Sequence, residues 1–199
     1  MITIIDYGMG NLRSVEKACE FLGYEAMVSD KASDIENATK LILPGVGAFG
    51  DAMKNLEDKG LVAPIKAAVL KGVPFLGICL GMQLIFDKSY EHGQTDGLSL
   101  IRGEVVPFTH THLKVPHMGW NNLLARQNEL FDKSDDQYVY FVHSFYVSGV
   151  ADENIIAKCQ YGNAFVAAVN KDNVYGLQFH PEKSGEIGLN MLKRFAKLK

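Results

Sequence analysis

Apolar residues in the first hundred positions follow two alternating periods. "ITIID" (2–6), "YEAMV" (24–28), "KLILPG" (40–45) and "VPFLGIC" (73–79) are short, nearly continuous apolar runs of the strand type. Between them, "NLRSVEKACEFLG" places Leu12, Val15, Ala18, Cys19 and Leu22 at helical spacing and ends on Gly23. "AFGDAMKNLEDKG", "VAPIKAAVLKG" and "LGMQLIFDKS" read as further helices. Strands alternating with helices of this length predict parallel βαβ units with right-handed crossovers. From about Gly103 the grammar changes. "EVVPF", "WNNLL", "QYVYFVHSFYVS", "IIAKCQY", "AFVAAVN" and "VYGLQFH" are strand-like runs separated by turn signals, and "GEIGLNMLKRFAKL" closes the chain as a helix. The expected fold is α/β: an open, mostly parallel central sheet flanked by helices, with an antiparallel or mixed strand region added in the C-terminal half.

No linker or repeat interrupts the 199 residues, so one domain spanning 1–199 is expected. A formal net charge of -3 with no basic stripe argues against broad nucleic-acid binding. No apolar run approaches the roughly 18 to 20 residues of a membrane span. "MITIIDYG" lacks the basic start of a signal peptide and runs straight into a strand. Cys19, Cys79 and Cys159 are odd in number and form no C-x-x-C pair. Both features favour a reducing cytoplasm over a disulfide framework.

Cys79 lies in Gly77-Ile78-Cys79-Leu80-Gly81, where a strand pattern meets a helix pattern. A buried cysteine that only fills a core is one reading. A nucleophile elbow is the other: the sharp turn exposes the thiol, and glycines flank it because side chains there would strike neighbouring backbone. A nucleophilic thiol needs a base and an orienter. "LQFHPEKS" offers both, since in an extended segment His180 and Glu182 face the same side, and Pro181 favours that extension. A strand-end histidine capped by a carboxylate is the bland alternative.

Other motifs carry less. "GVGAFG" (45–50) matches G-x-G-x-x-G, but no acidic residue stands about 20 positions on, as a dinucleotide site requires. Its better use is a strand end whose N–H groups, near Val46 and Gly47, help form an oxyanion hole. "HTHLKVPH" supplies His110, His112 and His117, yet the cysteine pair of a zinc deaminase is missing, so no metal is expected. "DYGMGN" lacks the Lys-Ser/Thr ending of a P-loop.

A cysteine in an elbow with a distant His-Pro-Glu resembles the class I, or triad-type, glutamine amidotransferases. "IDYGMGN", "LPGVGAFGDAM", "GICLGMQL", "KVPHMGWN", "YFVHSF" and "GLQFHPEKS", in order along nearly the whole chain, are similar to one branch of them. That branch is the glutaminase subunits of imidazole glycerol phosphate synthase. The resemblance implies the class I amidotransferase fold and no cofactor. It makes Cys79 the nucleophile toward glutamine, with His180 as acid and base, Glu182 as its orienter, and Val46, Gly47 and Leu80 as the oxyanion hole. By the same carry-over Gly47, Gln83, Glu91, His143, Ser144 and Phe145 bind glutamine, with Glu91 meeting its α-ammonium. The implied partner is a (β/α)₈-barrel cyclase subunit, forming a heterodimer that receives the ammonia. Asn11, His117, Trp120 and Lys183 would sit at that interface and ammonia inlet. Phe145 stands where the family more often has tyrosine, and Arg102 and Pro107 also depart from its usual pattern. An anthranilate- or pyridoxal phosphate-type amidotransferase, or a silent regulatory subunit, are the rival readings; "KVPHMGWN" and the intact triad weigh against them.

Overall fold

The computed structural model describes residues 1–109, 113–132 and 138–199. His110 and His112 therefore lie outside the described residues. In chain order the elements are β1 (Ile2–Ile5), α1 (Leu12–Phe21), β2 (Ala26–Ser29), α2 (Ala32–Glu36), β3 (Leu41–Gly45), α3 (Phe49–Asp58), α4 (Val62–Leu70), β4 (Phe75–Cys79) and α5 (Leu80–Leu84). There follow β5 (Lys88–Ser89), β6 (Thr95–Asp96), β7 (Glu104–Pro107), β8 (His117–Ala125), β9 (Tyr138–His143), β10 (Phe145–Ser148), β11 (Ile155–Tyr161), β12 (Asn163–Lys171), β13 (Val174–Leu177) and α6 (Gly185–Lys197).

The sheet runs β2-β1-β3-β4-β13-β12-β10-β7-β5-β6, with β11 branching from β12 to β8 and then β9. Strands β2, β1, β3, β4 and β13 are parallel neighbours. Beyond β13 the pairings β13–β12, β12–β10 and β10–β7 are antiparallel, as are β12–β11, β11–β8 and β8–β9. This is the mostly parallel centre with an antiparallel addition.

The period of two along the central strands serves two apolar layers. Ile5, Leu41, Leu43 and Phe75 enter one layer with residues of α3, α4 and α5. Ile2, Ile4, Ile42, Leu76 and Ile78 enter the other, with Val15, Ala18 and Cys19 of α1 and Met191, Leu192 and Phe195 of α6. Strands buried on both faces are why these segments read as continuous apolar runs. Helix α1 stops at the expected glycine: Gly23 has φ 80°, and its N–H closes on Glu20 O at 2.9 Å.

Three elements differ from the local pattern. The helix expected over 80–89 ends at Leu84 because the carbonyls of Leu84, Ile85, Phe86 and Asp87 accept N–H groups from residues 97–101 instead of continuing the helix. "QYVYFVHSFYVS" breaks at Ser144 into β9 and β10, which pair with different strands, β8 and β7. Helix α2 buries only Ile35 and is too short to show a period.

Candidate active site

Cys79 ends β4 with φ 56° and ψ -110°, a conformation rare for a residue with a side chain. The turn is possible because of its glycines. A Cβ on Gly77 would lie 2.5 Å from the Gly81 carbonyl oxygen, and one on Gly81 would lie 1.8 Å from that of Leu43. The sharp turn and the glycine clearances expected from the G-x-C-x-G spacing are present, while the thiol itself is buried, with Cys79 6% exposed.

Neighbouring strands deliver the remaining groups. β3 and β13 flank β4 in parallel, with Gly45 opposite Cys79 and Leu177 opposite Ile78, so all three strands end at one edge. Beyond β3 come Val46 and Gly47, the latter at φ 102°. Beyond β13 come Gln178, Phe179 and His180. Pro181–Lys183 then form a 3₁₀ turn with Pro181 at its start. The extended His180–Glu182 segment expected from the spacing is therefore corrected: the turn brings the two side chains together. His180 Nδ1 donates to Glu182 Oε1 at 2.8 Å, with the side chains 3% and 1% exposed.

Burial pushes the His180 pKa down, but Cys79 and then Glu182 beside it prevail and raise it to about 9. The ring therefore keeps its proton at neutral pH. Its Nε2 is buried with no hydrogen bond of normal geometry, as are Glu182 Oε2 and the Tyr7 hydroxyl. Tyr7 belongs to the same place, since its hydroxyl would meet a Cβ on Gly45 at 2.4 Å. Burial first, and the charge of Cys79 second, raise the Tyr7 pKa well above its ordinary value. Unpaired buried polar atoms are scarce in folded proteins. Three of the four found among the described residues belong to Tyr7, His180 and Glu182. Catalytic hydrogen bonds often tighten only when substrate is present.

A cavity of ≈ 350 Å³ opens over the thiol, lined by Val46, Gly47, Cys79, Leu80, Gln83, Glu91, Pro116, Val142, His143, Ser144, Phe145 and His180. Glu91 is oriented there because its Oε2 accepts the Phe49 N–H at 2.7 Å, at the start of α3. Its carboxylate suits an ammonium group and shares the cavity with Cys79 and His180. The arrangement is that of acyl transfer to a cysteine.

The matches to known proteins agree. The glutamine amidotransferase class-I family matches residues 3–198. A protein of Caldanaerobacter subterraneus subsp. tengcongensis named imidazole glycerol phosphate synthase subunit HisH is 52% identical, over 100% of this chain and 98% of its own. One of the same name from Bacillus licheniformis is 50% identical, over 98% and 95%. A solved glutamine amidotransferase superposes over 100% of both chains with TM-score 0.78, and its 17% identity shows the fold alone. The chain belongs to the class-I glutamine amidotransferases, in the family of the HisH subunits.

Every residue expected to form the nucleophile, oxyanion hole or glutamine site lines this amidotransferase cavity, apart from Glu182, which stands behind His180. The interface group is dispersed. Trp120 is 56% exposed on β8, Lys183 is exposed on the 3₁₀ turn, and Asn11 is exposed just before α1. His117, expected at the partner face, is instead buried, stacked between Tyr161 and Phe141 at 4.0 and 4.7 Å. β8 alternates sides, and His117 falls on the inward one. Phe145 joins the site through its main chain, where its carbonyl accepts from both Gln83 Nε2 and His143 Nδ1. Gln178 escaped the sequence reading. It is fully buried with its Nε2 3.9 Å from Cys79 Sγ, and the available signal was a lone amide inside the apolar run "VYGLQFH".

Proposed function

We propose that this chain is the glutaminase subunit of imidazole glycerol phosphate synthase, hydrolysing glutamine and passing the ammonia to a (β/α)₈-barrel cyclase partner in histidine biosynthesis. The observation that carries it is the triad geometry beneath a carboxylate-bearing cavity, on a chain about half identical to HisH subunits throughout its length.

Glu91 holds the α-ammonium of glutamine, and Gln83, His143, Ser144 and Phe145 seat the rest of the substrate. Cys79 Sγ attacks the side-chain carboxamide carbon. The oxyanion that forms is held by main-chain N–H groups of Val46, Gly47 and Leu80, each such donor being worth about 3 kcal/mol. His180 gives its proton to the departing nitrogen, and the C–N bond breaks to leave ammonia and a γ-glutamyl thioester. The now neutral His180 takes a proton from water as the water attacks, and the C–S bond breaks to release glutamate and return the Cys79 thiolate beside protonated His180. Glu182 keeps the imidazole turned toward sulfur and stabilises its charged form.

The partner reading rests on an exposed face of the β8–β9 ribbon. Met118, Trp120 and Leu124 share it with Tyr138, all more than half exposed. Lys183 and Asn11 extend the same docking role. Residues 1–199 act as one domain, since both apolar layers draw on both halves of the chain. Three free cysteines fit work in the reducing cytoplasm, and among the described residues no helix is long and apolar enough to cross a membrane.

The test is glutamate release from glutamine by the chain alone, with the cyclase, and with the cyclase plus its ribonucleotide ligand. Release that appears with the complete mixture and vanishes in Cys79→Ser is the expected result. No release in any mixture, and no labelling of Cys79 by an electrophilic glutamine analogue, would overturn the reading.

A further inference from the structure

A chain of hydrogen bonds runs from β8 through the floor of the cavity to the thiol, and each link has a defined direction. The Phe145 carbonyl can only accept, so His143 Nδ1, 2.8 Å from it, carries the proton. Burial is the main cause that lowers the His143 pKa to about 3 and the His117 pKa to about 4, so both rings are neutral. His143 Nε2 then offers a lone pair and accepts from His117 Nδ1 at 3.0 Å. His117 Nε2 accepts from Asn121 Nδ2 at 3.3 Å. The same amide nitrogen donates to Gln160 O at 3.0 Å, which confirms the orientation of Asn121. On the far side the Phe145 carbonyl also takes Gln83 Nε2 at 3.1 Å. Gln83 Nε2 donates to Gln178 Oε1 as well, at 3.1 Å, and Gln178 Nε2 faces Cys79 Sγ at 3.9 Å.

We propose that His117 and Asn121 are positioning residues for the glutamine site, holding the His143 ring through its Nε2 and so supporting the Phe145 carbonyl that also takes Gln83, which in turn reaches Gln178 beside the nucleophile. This deepens the glutaminase reading and rests on it. His117 and Asn121 point inward from β8, while Met118 and Trp120 of the same strand point outward. The exposed face and the residues that back the cavity-lining His143 are thus two sides of one strand.

Stacking alone would be served equally by phenylalanine, which separates packing from hydrogen bonding. In the complex with the cyclase, His117→Phe keeps the stack and removes the donor. It is expected to raise the KM for glutamine about tenfold, the scale of one buried hydrogen bond, with a smaller change in kcat. His117→Asn returns an N–H near the Nδ1 position and is expected to recover KM to within about threefold. Nitrogen-15 NMR of the imidazoles supplies a readout free of turnover. Wild-type His117 and His143 should both be Nδ1–H tautomers, and in His117→Phe the His143 Nε2 resonance should shift as the bond it accepts is lost, while Nδ1 stays protonated against the Phe145 carbonyl. An active wild-type complex with His143 in the Nε2–H form overturns this proposal alone. So does His117→Phe with unchanged KM and an unchanged His143 Nε2 resonance, or equal losses in both variants. An inactive wild-type complex is instead the failure of the glutaminase reading, visible before any variant is made.

Discussion

Replacing Gly81 by alanine tests the turn that presents Cys79. The added Cβ would stand 1.8 Å from the Leu43 carbonyl oxygen and 2.8 Å from its carbon, whereas Cβ contacts under 3.0 Å essentially do not occur. The start of α5 and the middle of β3 would have to part by more than an ångström. β3 cannot yield, because Leu43 is fully buried and opposite Gly77 in the ladder with β4. Gly81 itself has no left-handed backbone, so the effect is the clash alone. Overpacking costs about 1–3 kcal/mol, and a backbone-to-backbone collision belongs at the upper end, about 3 kcal/mol. A nucleophile displaced by about 1 Å loses about 10²-fold in rate. Urea unfolding followed by circular dichroism gives the first quantity, and glutamate release in the complex gives the second. Gly50→Ala is the control, since its Cβ meets nothing closer than Thr95 Oγ1 at 3.4 Å. It should leave both quantities near wild type. A Gly81→Ala protein within ~0.5 kcal/mol of wild type and fully active would refute the account of the elbow.

Other consequences are as concrete. Glu182→Gln removes the charge behind His180 while keeping its shape; kcat for glutamate release should fall by about 10²-fold or more, and unchanged kcat would remove Glu182 from the mechanism. Tyr7→Phe deletes a buried hydroxyl with no partner among the described residues; stability should hold or rise by about 1 kcal/mol, and a loss of more than that in urea would show that the hydroxyl is bonded. Stability should decline at both ends of the pH scale. His117 and His143, held at about 4 and about 3, contribute stability that is intact above 6.5 and lost as pH falls toward those values. His180, held at about 9, contributes stability that is present below 6.5 and lost as pH rises through 9. In His117→Phe the acid limb of the urea midpoint against pH should flatten, and an unchanged limb would contradict the burial argument.

Much of this protein was legible in short stretches of chain. The 3.6 and 2 periods mark α1, α3, α4, α6 and the buried strands because side-chain direction repeats locally. The elbow was legible because Gly77 and Gly81 each lie within four residues of Cys79; the clash Gly77 avoids is with α5 across the turn, whereas the one Gly81 avoids is with Leu43 of β3, a neighbour only the fold supplies. His180 and Glu182 lie two residues apart, so their meeting was readable even though a 3₁₀ turn, not an extended strand, achieves it. Tertiary structure decided what depends on distant partners. β13 slots beside β4, bringing His180 to Cys79 from about a hundred residues away. Residues 97–101 capture the carbonyls that would have lengthened α5. β8 turns His117 inward and Trp120 outward, which no residue type in "PHMGWN" dictates. Local preferences are set by neighbours in the chain and amount to tenths of a kcal/mol per residue. Strand pairing and burial gather larger energies from residues far apart in sequence, so they decide wherever the two disagree.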